Sequence, residues 1–185
     1  MNVITDAVKR MKQLIADLLD FSSAGSANFQ YQSCDLNILL KELLQFLKAD
    51  ISEKKGTIIV DNLPTITCDK ERLFQVFQNL IGNALKYHHG QIPIMVKVSA
   101  EEQPEEWKFL VRDKGIGIEA QHFEKIFQIF QRLHTQKEFT GTGIGLAICK
   151  KIIENHGGEI GVSSVHGQGS TFFFTIPKNR VNIKL

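Results

Sequence analysis

Asn79 and Asn83 stand four residues apart in the run QNLIGNALKY, a spacing that puts two helical side chains one turn apart on the same face. Each offers a neutral amide oxygen, and such oxygens suit a Mg²⁺ ion whose charge is already met by a nucleotide's phosphates. Gln75 and Lys86 fall on that side too. Leu73, Val76, Phe77, Leu80 and Ala84 instead form an apolar stripe within about 100° of one another. On the helix alone, a solvated polar face accounts for the same residues. A second group is DKGIGI at 113–118, an acid followed by alternate glycines, where backbone can come close to a flat ligand. A buried Asp113 carboxylate could accept a hydrogen bond from an exocyclic amine such as adenine's, worth about 1.5–3 kcal/mol. It would reject guanine, which presents an acceptor at that place. Taken singly, the string is also compatible with a plain turn. The third group is GTGIGLAICKKI from Gly141. Its glycines directly precede a helix, where free N–H groups and the helix dipole favour phosphate.

Two common phosphate motifs do not fit that third group. A Rossmann turn needs a preceding strand, a βαβ unit and an acid about twenty residues further on. The segment before the glycines, RLHTQKEFT, is polar and irregular. A P-loop needs glycine–lysine followed by serine or threonine, which is absent after Gly145.

The elements that must hold these groups can be read from periodicity. The stretch from Val3 to Phe21 is an amphipathic helix with Ile4, Val8, Met11, Ile15 and Leu18 at steps of four and three. Ala7, Leu14 and Phe21 flank that seam, which suits pairing with another helix or packing on the chain's own domain. SSAGSAN breaks the pattern, so residues 1–24 are read as one unit and 25–34 as a linker before a domain at 35–185. A helix is expected from Asp35 to about Lys48, capped by Asp35. Short strands follow at Thr57–Asp61 and Thr65–Cys68, then a helix from Asp69 to Tyr87 that carries the asparagines. IPIMVKVSA and EEWKFLVRD form an antiparallel hairpin. An irregular stretch at 119–140 leads to a helix from Gly143 to His156, stopped by Gly157 and Gly158. The strands EIGVSS and STFFFTIP finish the domain around the turn VHGQG. This order predicts an α+β two-layer sandwich, with a mixed, mostly antiparallel sheet and helices on one face, preceded by a coiled-coil-like helix.

Composition sets limits on function. Of 185 residues, 43% are hydrophobic and 23% charged, so the chain can build a core. A net charge of +2 without a long basic run gives no case for nucleic acid. Cys34, Cys68 and Cys149 are far apart and make no CxxC pair, which argues against a disulfide framework or a thiolate metal site. A cytoplasmic setting fits, and a membrane-anchored parent protein is left open. The N-terminal stretch carries Asp6, Lys9, Arg10 and Lys12 where a signal peptide would be apolar.

NLIGNALKY, DKGIGI and GTGIGLAI, in that order, resemble the ATP-binding catalytic domain of sensor histidine kinases. That superfamily, with its Bergerat-type fold, also contains the DNA gyrase, mismatch-repair and chaperone ATPases. The resemblance extends to FEKIFQIFQRLH, similar to the kinases' phenylalanine box and lid with Phe127 and Phe130 in its key places, and to GSTFFFTIP. In all it covers roughly 35–177. It implies ATP and Mg²⁺ as ligands. Asn83 would ligate the metal with Asn79 beside it, and Lys86 and Tyr87 would contact phosphates and nucleotide. Asp113 would hold the adenine amine within a pocket shaped by Gly115, Gly117 and Ile118, helped by Thr171 through water. Gly141, Thr142, Gly143, Gly145 and Leu146 would form the lid hinge and phosphate backbone, with Arg132 as a γ-phosphate cation. Hydrolytic relatives carry a glutamate one turn before the metal asparagine. Asn79 stands there and is a poor general base, which favours a kinase over an ATPase.

VKRMKQLIADLLDFSSAG resembles the second helix of a kinase dimerisation hairpin, notably in kinases of phytochrome-like sensors. The resemblance implies a homodimer, a phospho-acceptor histidine on a preceding helix, and a response regulator receiver domain as partner. His88, His89, His122, His134, His156 and His166 all follow the asparagine pair, and none matches the acceptor motif. Truncation ahead of Met1 is therefore expected, and this stretch alone is not expected to phosphorylate itself. The alternatives are an ATP-hydrolysing relative and a non-catalytic nucleotide-sensing module.

Overall fold

The computed structural model describes residues 3–25, 29–88, 93–133 and 141–178. Helix α1 spans Val3–Ser23, β1 Tyr31–Asp35, α2 Leu36–Phe46 and α3 Lys48–Glu53. Next come β2 at Thr57–Val60, β3 at Thr65–Asp69 and α4 at Lys70–Lys86. The hairpin is β4 at Met95–Glu102 and β5 at Glu106–Asp113, and the last elements are α5 at Gly145–Asn155, β6 at Ile160–Val165 and β7 at Gly169–Pro177. The five-stranded sheet runs β2-β4-β5-β7-β6. Its β2–β4 pairing is parallel and the other three are antiparallel, so the sandwich is mixed and mostly antiparallel as the sequence predicts.

Strand alternation decides which side chains meet the helices. Phe109 and Val111 on β5, Phe172, Phe174 and Ile176 on β7, and Val96 and Val98 on β4 are buried. Against them α4 turns Leu73, Val76, Phe77, Leu80, Ile81, Ala84 and Leu85. Phe77 stands edge-on to Phe174 at 5.3 Å, and Phe174 stacks on Phe109 at 5.0 Å. Burial of each such ring contributes about 1.5–3 kcal/mol. The same period-two row carries on from Val111 to Asp113, which is how a carboxylate comes to sit at the edge of the core.

Three expectations change. Residues 25–34, read as linker, contain most of β1, which pairs antiparallel with β3 as a separate two-stranded sheet. YQSCD has no apolar alternation, so only its partner makes it a strand. The helix read across 35–48 breaks at Leu47, whose backbone lies at φ −84°, ψ 2°, and α3 starts afresh at Lys48. The helix read from Gly143 begins two residues later, because Gly143 at φ +77° lies outside the right-handed helical region.

Caps fix the helix starts. Asp35 accepts from the Asn37 N–H at 2.8 Å, and Asp69 accepts from the Arg72 N–H at 3.1 Å. Helix α1 lies on the domain through Leu14 and Phe21, while Val8, Met11, Ile15, Leu18 and Leu19 face solvent. Lys151 donates to the Phe21 carbonyl at 3.3 Å and sits over its ring at 4.4 Å. Asn155 donates to the carbonyl of the fully buried Ala24 at 2.7 Å. Among the described residues no helix is long and apolar enough to cross a membrane.

Candidate functional site

Two adjoining cavities lie between α4, the 113–118 loop and the start of α5. The smaller, of about 80 Å³, is bordered by Asp113, Ile116, Gly117, Ile118, Ile126, Ser170 and Phe172, with Gln131, Arg132 and Leu133 at its rim. The larger, of about 540 Å³, is bordered by Gln75, Asn79, Lys86, Gly141, Thr142, Gly143 and Gly145, and also by Asp17 and Asp20 of α1 and Asp50 of α3. Asn83, Tyr87, Leu146, Ile126 and Gln131 border both. One end is therefore a narrow apolar slot with a single carboxylate, and the other is a broad polar chamber.

Asp113 is 8% exposed. Its Oδ1 accepts from the Gly115 N–H at 2.7 Å and the Ser170 N–H at 3.2 Å, while Oδ2 receives no hydrogen bond from the described residues. Burial pushes the carboxyl above its ordinary value, and the two N–H donors oppose that rise. The loop that follows is pinned on both sides. Ile116 N–H donates to the Tyr87 carbonyl at 3.1 Å, Ile118 N–H to Ser164 Oγ at 2.8 Å, and Gly167 N–H to the Ile116 carbonyl at 2.7 Å. Gly117 holds φ +70°, and a Cβ there would lie 2.1 Å from the Val165 carbonyl oxygen. Only glycine fits that closeness and that dihedral.

On α4, Asn79 Nδ2 donates back to the Gln75 carbonyl at 3.1 Å. Its Oδ1 lies 2.6 Å from where a Cβ on Gly145 would stand, so a side chain at 145 would push α5 away from the asparagine. Lys86 Nζ donates to Tyr87 Oη at 2.8 Å and lies 2.7 Å from a Cβ built on Gly141, which puts a cation beside the glycines that precede α5. Helix α5 has no side-chain cap at its N-terminus, so its first-turn N–H groups are not closed off by a capping side chain.

Most of the residues singled out from the sequence border one or both cavities. Thr171 does not. It is paired with Arg112 and Ser163 on β7, and alternation turns it to the sheet face opposite Ser170 and Phe172. Ser170 takes the place beside Asp113 instead. Its signal was available, since the buried row Ile176, Phe174, Phe172 leads back to 170 in steps of two. Arg132 lies at the rim of the apolar slot, and the larger chamber's lining does not include it. Gly115 is buried in the loop behind Asp113, where a Cβ would lie 2.1 Å from the Tyr87 carbonyl oxygen. His134 and His89 lie outside the described residues, as does the remainder of the stretch read as irregular, 135–140. Phe127 packs on the core, whereas Phe130, at φ +63°, is exposed. Sequence reading did not bring Asp17, Asp20 or Asp50 to the chamber.

The family described as histidine kinase-, DNA gyrase B- and HSP90-like ATPase matches residues 68–180, more than half of the chain. Cyanobacterial phytochrome A of Nostoc sp. (strain PCC 7120) is 45% identical over 172 residues, which are 93% of this chain and 22% of that protein. Sensor histidine kinase WalK of Bacillus subtilis is 32% identical over 181 residues, 95% of this chain and 30% of that protein. The chain thus spans less than a third of the length of either relative. Among solved structures, full-length ShkA in complex with AMPPNP superposes with a TM-score of 0.79 at 28% identity, covering 97% of this chain and 38% of that one. Histidine kinase ThkA in complex with response regulator protein TrrA gives 0.73 at 27% identity, covering 96% and 50%. The chain belongs to the histidine kinase-, gyrase B- and HSP90-like ATPase family, and within it is an ATP-binding domain of the histidine kinase kind.

Proposed function

We propose that this domain binds Mg–ATP across the two cavities and donates the γ-phosphoryl group to a histidine carried on another helix. Adenine would lie in the apolar slot with its amine on Asp113 Oδ2, and Gly117 and Ile118 would pack against the ring. The triphosphate would extend past Tyr87 into the chamber, toward Lys86, the hinge at Gly141, Thr142 and Gly143, and the α5 N-terminus at Gly145 and Leu146. Asn83, with Asn79 beside it, would hold Mg²⁺, which offsets phosphate charge when bound. In the transfer, the bond from the γ-phosphorus to the ADP oxygen breaks as a bond to an acceptor imidazole nitrogen forms. The domain's part is to position the phosphates and exclude water, since Asn79 offers no base to activate it.

The observation that carries this reading is the single strand-end carboxylate. Asp113 is buried, its Oδ1 is occupied by two N–H donors, and it lines a slot that shares Asn83 with the adjoining chamber, which Asn79 also borders. Residues 1–24 would belong to a dimerisation hairpin of a cytoplasmic homodimer, with residues 35–185 as the catalytic unit. A receiver domain would take the phosphoryl group onward, a reading supported by the ThkA–TrrA complex among the structural neighbours. The test is to mix the chain, a dimerisation-hairpin protein bearing the acceptor histidine and γ-labelled ATP. Label on the partner's histidine is expected. Rapid phosphate release without a labelled partner would favour a hydrolase instead.

A further inference from the structure

The larger chamber has the wrong charge for its proposed ligand. Its described lining holds three carboxylates, Asp17, Asp20 and Asp50, against one lysine, Lys86. Two of the three come from α1, a helix that is not part of the sandwich. Their position is fixed by α1's contacts with α5 and α4: Lys151 and Asn155 hold the carbonyls of Phe21 and Ala24, and Arg72 donates to Ser23 at 3.4 Å. Within that frame Gln13 Nε2 donates to Asp17 Oδ1 at 2.7 Å, and the Thr142 hydroxyl donates to Asp17 Oδ2. Gln75 Nε2, on the asparagine face of α4, donates to Asp20 Oδ2 at 3.4 Å.

Thr142 sits between Gly141 and Gly143 in the hinge that would face the phosphates. A hydroxyl there can donate one hydrogen bond, and that bond goes to a carboxylate oxygen of α1 in place of a phosphate oxygen. We propose that Asp17 is a specificity determinant of nucleotide binding, a competitor built into α1 that occupies the phosphate acceptor position at Thr142 and disfavours polyphosphate charge not covered by a metal ion. This rests on the nucleotide reading above and adds to it a discrimination between ligands. Adenosine, which occupies only the apolar slot, is indifferent to Asp17. Metal-free ATP is penalised most, and Mg–ATP less because its charge is partly offset. Linkage makes the relation reciprocal: nucleotide phosphates that displace Asp17 loosen α1 from the hinge by the same free energy.

The test is calorimetric titration of the native chain, Asp17→Asn, Asp17→Ala and Asp20→Asn with adenosine, ATP and Mg–ATP, at low and high salt. Asp17 lies half-buried on the helix surface, so neither substitution opens a core cavity. Asp17→Asn is expected to tighten metal-free ATP by about tenfold at low salt, as for one screened charge pair in a partly open site. The gain for Mg–ATP should be smaller, adenosine should be unchanged, and high salt should compress all the differences. Asp17→Ala should gain at least as much, since it also frees the hydroxyl, and Asp20→Asn less. In a Thr142→Val background the extra gain of Ala over Asn at 17 should vanish. Unchanged or weaker ATP binding in Asp17→Asn, with adenosine binding intact, overturns this inference alone. An equal gain for adenosine overturns it too. A native chain that binds neither adenosine nor ATP overturns the nucleotide reading itself, and this inference with it.

Discussion

The two halves of the site are built differently. The apolar slot is made by the sheet: Asp113 and Phe172 are the inward residues of neighbouring strands, and the loop after Asp113 is tied down by hydrogen bonds to α4 and to the β6–β7 turn. The chamber of about 540 Å³ is made by helix ends, the glycine-rich segment before α5 and a helix from outside the sandwich. Its polar groups pair with one another, as in Asn79 with Gln75, Lys86 with Tyr87 and Thr142 with Asp17. The slot is thus preorganised, whereas the chamber's groups would have to exchange partners to take a ligand. On the nucleotide reading proposed above, recognition of the base and control of the phosphates would fall to different parts of the fold.

Several substitutions would sharpen or break that contrast. The largest effect should come from the scaffold. Phe77→Ala removes a fully buried ring that touches Phe109 and Phe174, and thermal or denaturant unfolding should show a loss of about 3–5 kcal/mol. An equally large loss from a chamber residue such as Asn79 would blur the distinction between the halves. Next, Asn83→Ala should weaken Mg–ATP by about 1.5–3 kcal/mol, the range for a polar contact to a charged group, and leave adenosine nearly unchanged in the same calorimeter. If adenosine weakens equally, Asn83 serves the base half instead.

Acid should act on the slot through Asp113. Its carboxyl is raised in the folded chain above the ordinary 3.8 by burial. Between these two values the folded state holds the proton more tightly than the unfolded chain does, so the ligand-free fold gains stability as pH falls through the raised value. An amine donor prefers the ionised form, so adenosine affinity should move the other way. It should fall as pH is lowered through the raised value, by at most about 1.4 kcal/mol per pH unit. Affinity independent of pH across that window would remove Asp113 from the contact. The smallest effect belongs to the half-exposed cation. Lys86→Met should cost ATP about 1 kcal/mol or less and lose its effect in high salt, with adenosine unaffected.

How far the sequence could be read follows the same division. The α4 stripe from Leu73 to Ala84 and the buried rows of β5 and β7 were legible because one face of each element meets the core. Asp113 was legible from the acid and alternate glycines of DKGIGI at the end of a strand, and the structure adds that it is the next inward residue after Val111. Strand β1 was not, since its pattern of exposure depends on β3 and not on its own alternation. Thr171 was expected to serve the Asp113 pocket, whereas the period of two puts Ser170 beside that carboxylate. The acids of α1 were invisible as chamber residues, because a helix periodicity shows which face is apolar and not which neighbour the polar face meets. Leu14 and Phe21 lie against the domain while Ile15 and Leu18 face outward, so the helix packs on the chain's own domain by one flank and leaves its seam residues exposed.

The measurement closest to the centre of this account is calorimetric titration of the native chain and of Asp113→Asn with adenosine and with Mg–ATP. The native chain is expected to bind both, and the substitution to weaken both by about 1.5–3 kcal/mol, roughly ten- to a hundredfold. Equal affinities in the two proteins, or a folded native chain that binds neither ligand, would contradict it.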